Sequence, residues 1–258
     1  MDQLPLSPAG RTVPRAPIDA PETRPIEAFW LGRRPYRDVW ALQKRLAAAR
    51  ADGEIPDQLL LVEHEPVLTL GRGADERHVL ASDAALARRG IEVIRVERGG
   101  EVTYHGPGQL VAYPIVALAR RGLMLRPFVR ALEKAMIETC AALDVRATRR
   151  DGHPGCWIEI AGLPPRKIGA LGIRVERGVT YHGIALNVDP DLDDFRLIDA
   201  CGMPGVVSTS IAREPGRRTG PPSTDAVEGA ARVFATAFAA AIGAELAVEM
   251  SPTPVGAH

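Results

Sequence analysis

A mixed α+β domain is what this sequence predicts, and three observations lead there. Strand-like runs rich in β-branched residues cluster together, and amphipathic helical stretches are interspersed without the regular one-for-one alternation of βαβ winding. No glycine fingerprint for a dinucleotide or a phosphate loop is present. A composition of 46% apolar and 25% charged residues over 258 positions supplies enough apolar material for a substantial core.

The elements follow in order. MDQLPLSPAGRTVPRAPIDAPETRP holds six prolines and almost nothing to bury, so residues 1–24 read as a disordered Pro-rich tail before a catalytic domain over 25–250 and a flexible C-terminus over 251–258. A short strand precedes a helix from about Tyr36 to Ala51, on which Val39, Leu42, Leu46 and Ala49 keep helical spacing and which Gly53 ends. Leu59 to Glu63 and Val67 to Leu70 are strand-like runs around Pro66, and Asp83 to Arg89 is a short helix. IEVIRV, the Gly99-Gly100 turn and EVTYH predict a hairpin. LVAYPIVAL suits a buried strand, and Pro127 opens a helix over Phe128 to Leu143. After a polar turn at Arg149 to Pro154 come three strands in CWIEIAG, KIGALGIRV and VTYHGIALNV. An Asp189 to Asp194 loop, a Pro, Gly and Arg-rich loop from Glu214 to Ser223 and an Ala-rich helix over Thr224 to Gly243 complete the chain.

Charge and cysteine usage exclude several functions. Thirty-two basic residues balance thirty-two acidic ones, so no global field draws the protein to nucleic acid or to an anionic membrane, and no run of eighteen apolar residues spans a bilayer. Three cysteines without a CxxC pair make no disulfide framework and fit a reducing cytoplasm; the segment at the start lacks the pattern of a signal peptide. Lysine is almost absent: only Lys44, Lys134 and Lys167 occur.

One phrase is written twice. RVERGGEVTYHGPGQ begins at Arg95 and RVERGVTYHGIALN at Arg174, differing by a two-residue insert, and the likeness stops at the phrase. Two similar hairpins explain it better than duplication, and in one sheet they bring His105 and His182 close. Gly99, Gly100, Gly106, Gly108, Gly169, Gly172, Gly178 and Gly183 crowd these stretches, where bare backbone admits a ligand. Cys140 falls in a helix and Cys156 in an apolar strand, as inert core thiols do. Cys201, between a polar loop and Gly202, suits an exposed nucleophile, and an ammonium such as that of Lys167 beside it favours the thiolate. No HxH, HxxxH or CxxC spacing supports a metal, and no GxSxG supports a serine hydrolase.

The seventeen residues RGGEVTYHGPGQLVAYP, Arg98 to Pro114, closely resemble the signature of the lipoyl(octanoyl) transferases, the octanoyl-carrier-protein:protein N-octanoyltransferases. KIGALGIRVERGVTYHGIALNV followed by ACG is similar to the catalytic half of that family, and the match runs from about Pro25 to Ile211. The resemblance implies a biotin and lipoate protein ligase-like domain, a mixed, largely antiparallel sheet flanked by helices and related to class II synthetase cores. It implies an acyltransferase of lipoate biosynthesis that moves an octanoyl or lipoyl group from octanoyl-acyl carrier protein, through a cysteine thioester intermediate, to one lysine of a lipoyl domain. Acceptors would be the lipoyl domains of 2-oxoacid dehydrogenase complexes and the glycine cleavage H protein, with no cofactor, metal, nucleic acid or membrane involved and a monomer as the working unit. The acyl-bearing cysteine maps onto Cys201 and its activating lysine onto Lys167. Substrate-lining positions map onto Arg98, Gly99, Gly100, Glu101, Val102, Thr103, Tyr104 and His105, onto Ala170, Leu171 and Gly172, and onto Gly183, Ile184 and Ala185. Backbone N–H groups near Leu171 and Gly172 are the expected oxyanion donors, and the arginine pairs at 120–121 and 149–150 are candidate contacts for an acidic carrier. Two rivals stand beside this reading. One is an ATP-dependent lipoate or biotin ligase of the same fold; the other is a non-catalytic module that binds lipoyl domains or carrier protein.

Overall fold

The computed structural model describes residues 22–199, 205–214 and 224–247; the Pro-rich segment before residue 22, Cys201 and its neighbours, residues 215–223 of the Arg-rich loop and residues 248–258 lie outside them. Glu22 to Arg24, assigned by sequence to the tail, are tied to the domain: the Glu22 carboxylate accepts from Arg50 at 2.6 Å, and the Arg24 carbonyl accepts from Arg121 at 2.9 Å.

Strand β1 (Glu27–Arg34) leads through Pro35 into helix α1 (Tyr36–Asp52), which ends where Gly53 takes the left-handed conformation (φ 83°) that glycine adopts without steric cost. Then come β2 (Gln58–His64), β3 (Val67–Leu70), α2 (Asp83–Arg88), β4 (Glu92–Arg95), β5 (Val102–His105) and β6 (Gln109–Ile115). Helix α3 (Leu125–Ala142) starts three residues earlier than the sequence suggests, because Pro127 is accommodated within its first turn. Strands β7 (Thr148–Arg150), β8 (His153–Ile158), β9 (Arg166–Glu176), β10 (Val179–Asn187) and β11 (Val207–Ser208) precede α4 (Thr224–Ala241). The expected polar turn at Arg149 to Pro154 is in part strand: β7 pairs with β8 around Asp151 and Gly152.

The large sheet runs β1-β2-β6-β10-β9-β8-β7, with β11 added beside the start of β9, and only the β1–β2 and β11–β9 pairs are parallel. It is the mixed, largely antiparallel sheet that the resemblance implies. Its packing follows from helical periodicity. On α4, Val227, Ala230, Ala231, Phe234, Ala235, Phe238 and Ala239 are buried at i, i+3, i+4, i+7 spacing, and on α3 Phe128, Leu132, Ala135, Met136 and Cys140 do the same. The alanines let the two helices approach closely while Phe128 packs edge-on against Phe238, and each buried phenylalanine contributes about 2–3 kcal/mol. Helix α1 covers the opposite face through Tyr36, Val39 and Leu46.

The second sheet corrects the sequence reading. Its order is β4-β3-β5, so the two halves of the predicted first hairpin never pair with each other; β3 lies between them, parallel to β4 and antiparallel to β5. The Arg174 copy does form a hairpin, β9 to β10, closed by Arg177 (φ 49°) and Gly178 (φ 81°) in a two-residue turn whose twist matches its strands. The insert in the Arg95 copy lengthens the link enough to pass over the end of β3, where Val96 donates to Leu70 and Gly71 to Glu101.

Candidate functional site

A cavity of about 550 Å³ opens between the face of β9 and β10 and the segment that crosses from β4 to β5. The segment is zipped to the sheet edge: Gly99 N–H donates to the Ile173 carbonyl at 3.1 Å. A Cβ on Gly172 would stand 2.6 Å from the Gly99 oxygen, so this glycine serves close backbone packing as well as the cavity wall. Arg98 staples the same segment to β3, donating to the Thr69 carbonyl at 2.6 Å and to its hydroxyl at 2.9 Å.

Of the residues singled out from sequence, Arg98 to Thr103, His105, Lys167, Ala170 to Gly172 and Gly183 to Ala185 all line this cavity. Tyr104 does not: its hydroxyl donates to Asp194 at 2.6 Å and its ring meets Phe195, on the far side of β5. Both copies of the doubled phrase reach the cavity, but from two different sheets and not as hairpins of one. Among the clustered glycines, Gly106, Gly108, Gly169 and Gly178 lie off the wall; at Gly108 the close neighbour is the protein's own Asp189 carbonyl.

Lys167 is 8% exposed at the start of β9, with its ammonium 5.0 Å from the centroid of the Trp157 ring. Its backbone sits between Trp157 of β8 and Ser208 of β11, and its carbonyl accepts from Thr209 at 2.9 Å. Cys201 lies outside the described residues; the chain leaves them at Asp199 and returns at Gly205, immediately before β11 joins β9 beside Lys167. Cys140 and Cys156 are free and wholly buried, and the hydrogen bond to Cys140, reinforced by burial, pushes the Cys156 thiol far up. Neither lines the cavity.

Two buried histidines, His105 on the cavity wall and His64 behind it, are held in fixed states. Gln109 donates through Nε2 to the Tyr104 carbonyl and to Asn187, which leaves its Oε1 to accept from His105 Nδ1 at 2.7 Å. His64 donates through Nδ1 to the Arg34 carbonyl at 3.0 Å, so its Nε2 accepts from the Tyr113 hydroxyl at 2.8 Å. Burial lowers His64 to about 4; burial and the neighbouring His64 lower His105 to about 3, so both are neutral.

Several wall residues carried no assigned role in the sequence reading: Tyr36, Tyr113, His153, Ile173 and His182. His182 was visible in the second copy of the phrase, whereas Tyr36 reaches the site from a helix that shares no motif with it. Buried Glu133 of α3 was missed too. It accepts from Gly155 N–H and pairs with Arg130 and Arg149, fixing the lip next to Lys167.

Fold and slot define a class first. The bipartite lipoate protein ligase of Thermoplasma acidophilum superposes with a TM-score of 0.65 over 92% of this chain and 89% of its own, at 15% identity, so the chain has the lipoate protein ligase fold. The lipoyl protein ligase A/B catalytic domain family matches residues 35–223. The octanoyltransferase of Chloroflexus aggregans is 45% identical over 195 residues, 75% of this chain and 87% of the relative; that of Gloeobacter violaceus is 47% identical over 212 residues, 82% and 87%. The chain belongs to the octanoyltransferases of the lipoyl protein ligase A/B family, which are acyltransferases.

Proposed function

We propose that the chain takes an octanoyl or lipoyl group from octanoyl-acyl carrier protein onto Cys201 and passes it to the lysine of a lipoyl domain, as found in 2-oxoacid dehydrogenase complexes and in the glycine cleavage H protein. The observation that carries this reading is a largely apolar slot with one buried lysine at its end, beside the strand that follows Cys201. An eight-carbon tail burying about six methylenes gains roughly 5 kcal/mol at about 0.8 each, enough to hold the donor with few polar contacts.

The chemistry runs in two halves. The Cys201 thiolate, favoured by the Lys167 ammonium, attacks the thioester carbonyl, and the carrier sulfur leaves with a proton from Lys167. The acceptor lysine, once it has given one proton to solvent, attacks the thioester; the neutral amine of Lys167 takes the second proton as that nitrogen displaces Cys201 as thiolate, which restores the starting thiolate and ammonium. A base is needed there, since a lysine of ordinary pKa is less than about one part in a thousand neutral at pH 7. For the oxyanion, the ladder favours Leu171 over Gly172. The N–H of His182 goes to Gln43 and the carbonyl of Ile173 to Gly99, so that pair is not bonded across the ladder; alternation turns the Leu171 N–H off β10 and the Gly172 N–H onto it. The remaining cavity-lining residues, Arg98 to Thr103 among them, shape the wall. A cytoplasmic setting fits, and no helix among the described residues is long and apolar enough to cross a membrane.

Intact-mass analysis after incubation with octanoyl-acyl carrier protein, without ATP, should show one octanoyl group on the wild type and none on Cys201→Ser. Label mapping to Cys140 or Cys156, or an ATP requirement, would refute the reading. Lys167→Met should slow acylation and flatten its pH dependence; an unchanged rate removes its role.

A further inference from the structure

Lys167 serves both halves of the reaction only if its ammonium is kept in place, and a lysine ends in a point charge on a flexible four-carbon stem. The surroundings of that stem are well defined. Trp157 of β8 faces Lys167 directly in the β8–β9 ladder, is 1% exposed, and presents its ring 5.0 Å from the ammonium. The indole is itself fixed: Nε1 donates to the His153 carbonyl at 2.9 Å, and the His153 ring meets it edge-on at 6.1 Å. Gly155, on the same strand, leaves room for the stem. A Cβ there would stand 3.1 Å from Lys167 Cε and 2.5 Å from the Gly169 carbonyl, at a φ of 133° that side chains rarely adopt. The stem therefore leans along β9 toward Gly169. Glu133 holds this glycine in turn, accepting from its N–H at 3.2 Å.

Arg150 lies over the same ring at 5.5 Å, but its side chain is 36% exposed and also faces Glu159 at 3.7 Å. Lys167 is closer and far less exposed, so for its charge the ring replaces water. The ladder slips just beyond the pair: Trp157 faces Lys167, but Cys156 faces Gly169 and not Ile168, a bulge of the kind that re-aims a side chain beside a site. Resting on the acyl-transfer reading above, we propose that Trp157 is a positioning residue for the transfer: its ring holds the Lys167 ammonium where Cys201 and the substrate meet it, while Trp157 itself does not line the cavity. The physical reason is the ring's quadrupole. Its negative face attracts a cation, more strongly out of water, yet offers no basic atom to take the proton. A carboxylate in the same place would pair with the ammonium and compete with the thiolate for it. When Lys167 is the neutral amine, between the two halves, the attraction lapses and the stem is released toward the incoming lysine.

The test measures single-turnover acylation of Cys201 by octanoyl-acyl carrier protein over a range of carrier concentrations. Trp157→Leu should lower the maximal rate about tenfold with the half-saturating concentration within about twofold of wild type, and Trp157→Phe, which restores a ring face, should recover most of the loss. In a Lys167→Met background, where no cation is left to hold, Trp157→Leu should cost less than about twofold. A purely structural tryptophan would cost the same in both backgrounds; that result, or a phenylalanine variant as slow as the leucine one, overturns the proposal. Should Trp157→Leu fail to fold, tetrafluorotryptophan placed at position 157 keeps the shape and the N–H while draining the ring face of negative charge. It should slow acylation several-fold, and a wild-type rate overturns the proposal. A wild type that takes no octanoyl group on Cys201 sinks the acyl-transfer reading and this role together, whereas acylation indifferent to the ring sinks the role alone.

Discussion

Asp57 has no exposed surface, and its carboxylate holds two equally buried arginines, Arg50 at 2.6 Å and Arg121, while accepting the Ala117 N–H at 2.9 Å. Removing it leaves buried Arg121 with no carboxylate and Arg50 with only Glu22, so Asp57→Ala should destabilise the protein by about 3–5 kcal/mol, read by urea denaturation. A loss below 1 kcal/mol would mean that water reaches the arginines. The same cluster withdraws Arg121 from the candidate carrier contacts, since it faces inward. Arg149 pairs with Glu133 and Arg150 lies over the Trp157 ring, but their side chains stay 39% and 36% exposed. Nothing in DQLLLVEH announces this: Asp57 and Arg121 lie 64 positions apart and meet only when the sheet forms. Cys140 and Cys156 were legible, because a small apolar side chain within helical or strand spacing is buried wherever the element packs.

At the level of elements, local periodicity recovered α1, α3, α4 and most strands, whereas strand pairing was not local. EVTYH was assigned to a neighbour in sequence and pairs instead with β3, thirty-odd residues earlier. β7 escaped because a three-residue polar edge strand has no alternation to read. The β9–β10 region allows a paired test. Gly172→Ala should drive a Cβ into the Gly99 carbonyl, costing about 1–3 kcal/mol and lifting the segment that walls the slot, with a fall in octanoyl kcat/KM. Gly178→Ala meets no atom within 4 Å and strains only the turn (φ 81°), for about 1–2 kcal/mol with acylation intact. Thermal melts and acylation rates on both variants separate wall geometry from mere instability, and equal acylation by the two would sink the distinction.

For the whole molecule, buried neutral histidines make stability depend on acid. An unfolded histidine protonates near 6.5, while His64 and His105 resist until about 4 and about 3. Between those limits the unfolded chain binds more protons, so stability falls as pH drops from about 6.5 toward 4 and is full above that window. At pH 5 each histidine costs about 2 kcal/mol relative to pH 7. A melting temperature that drops steeply from pH 7 to 5, and less steeply in His64→Gln once its own loss at pH 7 is subtracted, is the expected outcome; a curve flat above pH 5 would show that both rings charge freely in the folded state.

The sequence by itself determined which stretches form helices and strands, which faces enter the core and which family the chain joins, because periodicity and signature are properties of neighbouring residues. Only the tertiary structure decided that β3 divides the first copy of the phrase, that Tyr36 and Tyr113 line the slot, and that His182 is buried with Glu97 3.8 Å from its ring. Each of these depends on surfaces brought together across long separations, where a side chain's environment is set by what packs against it and not by what precedes it in the chain.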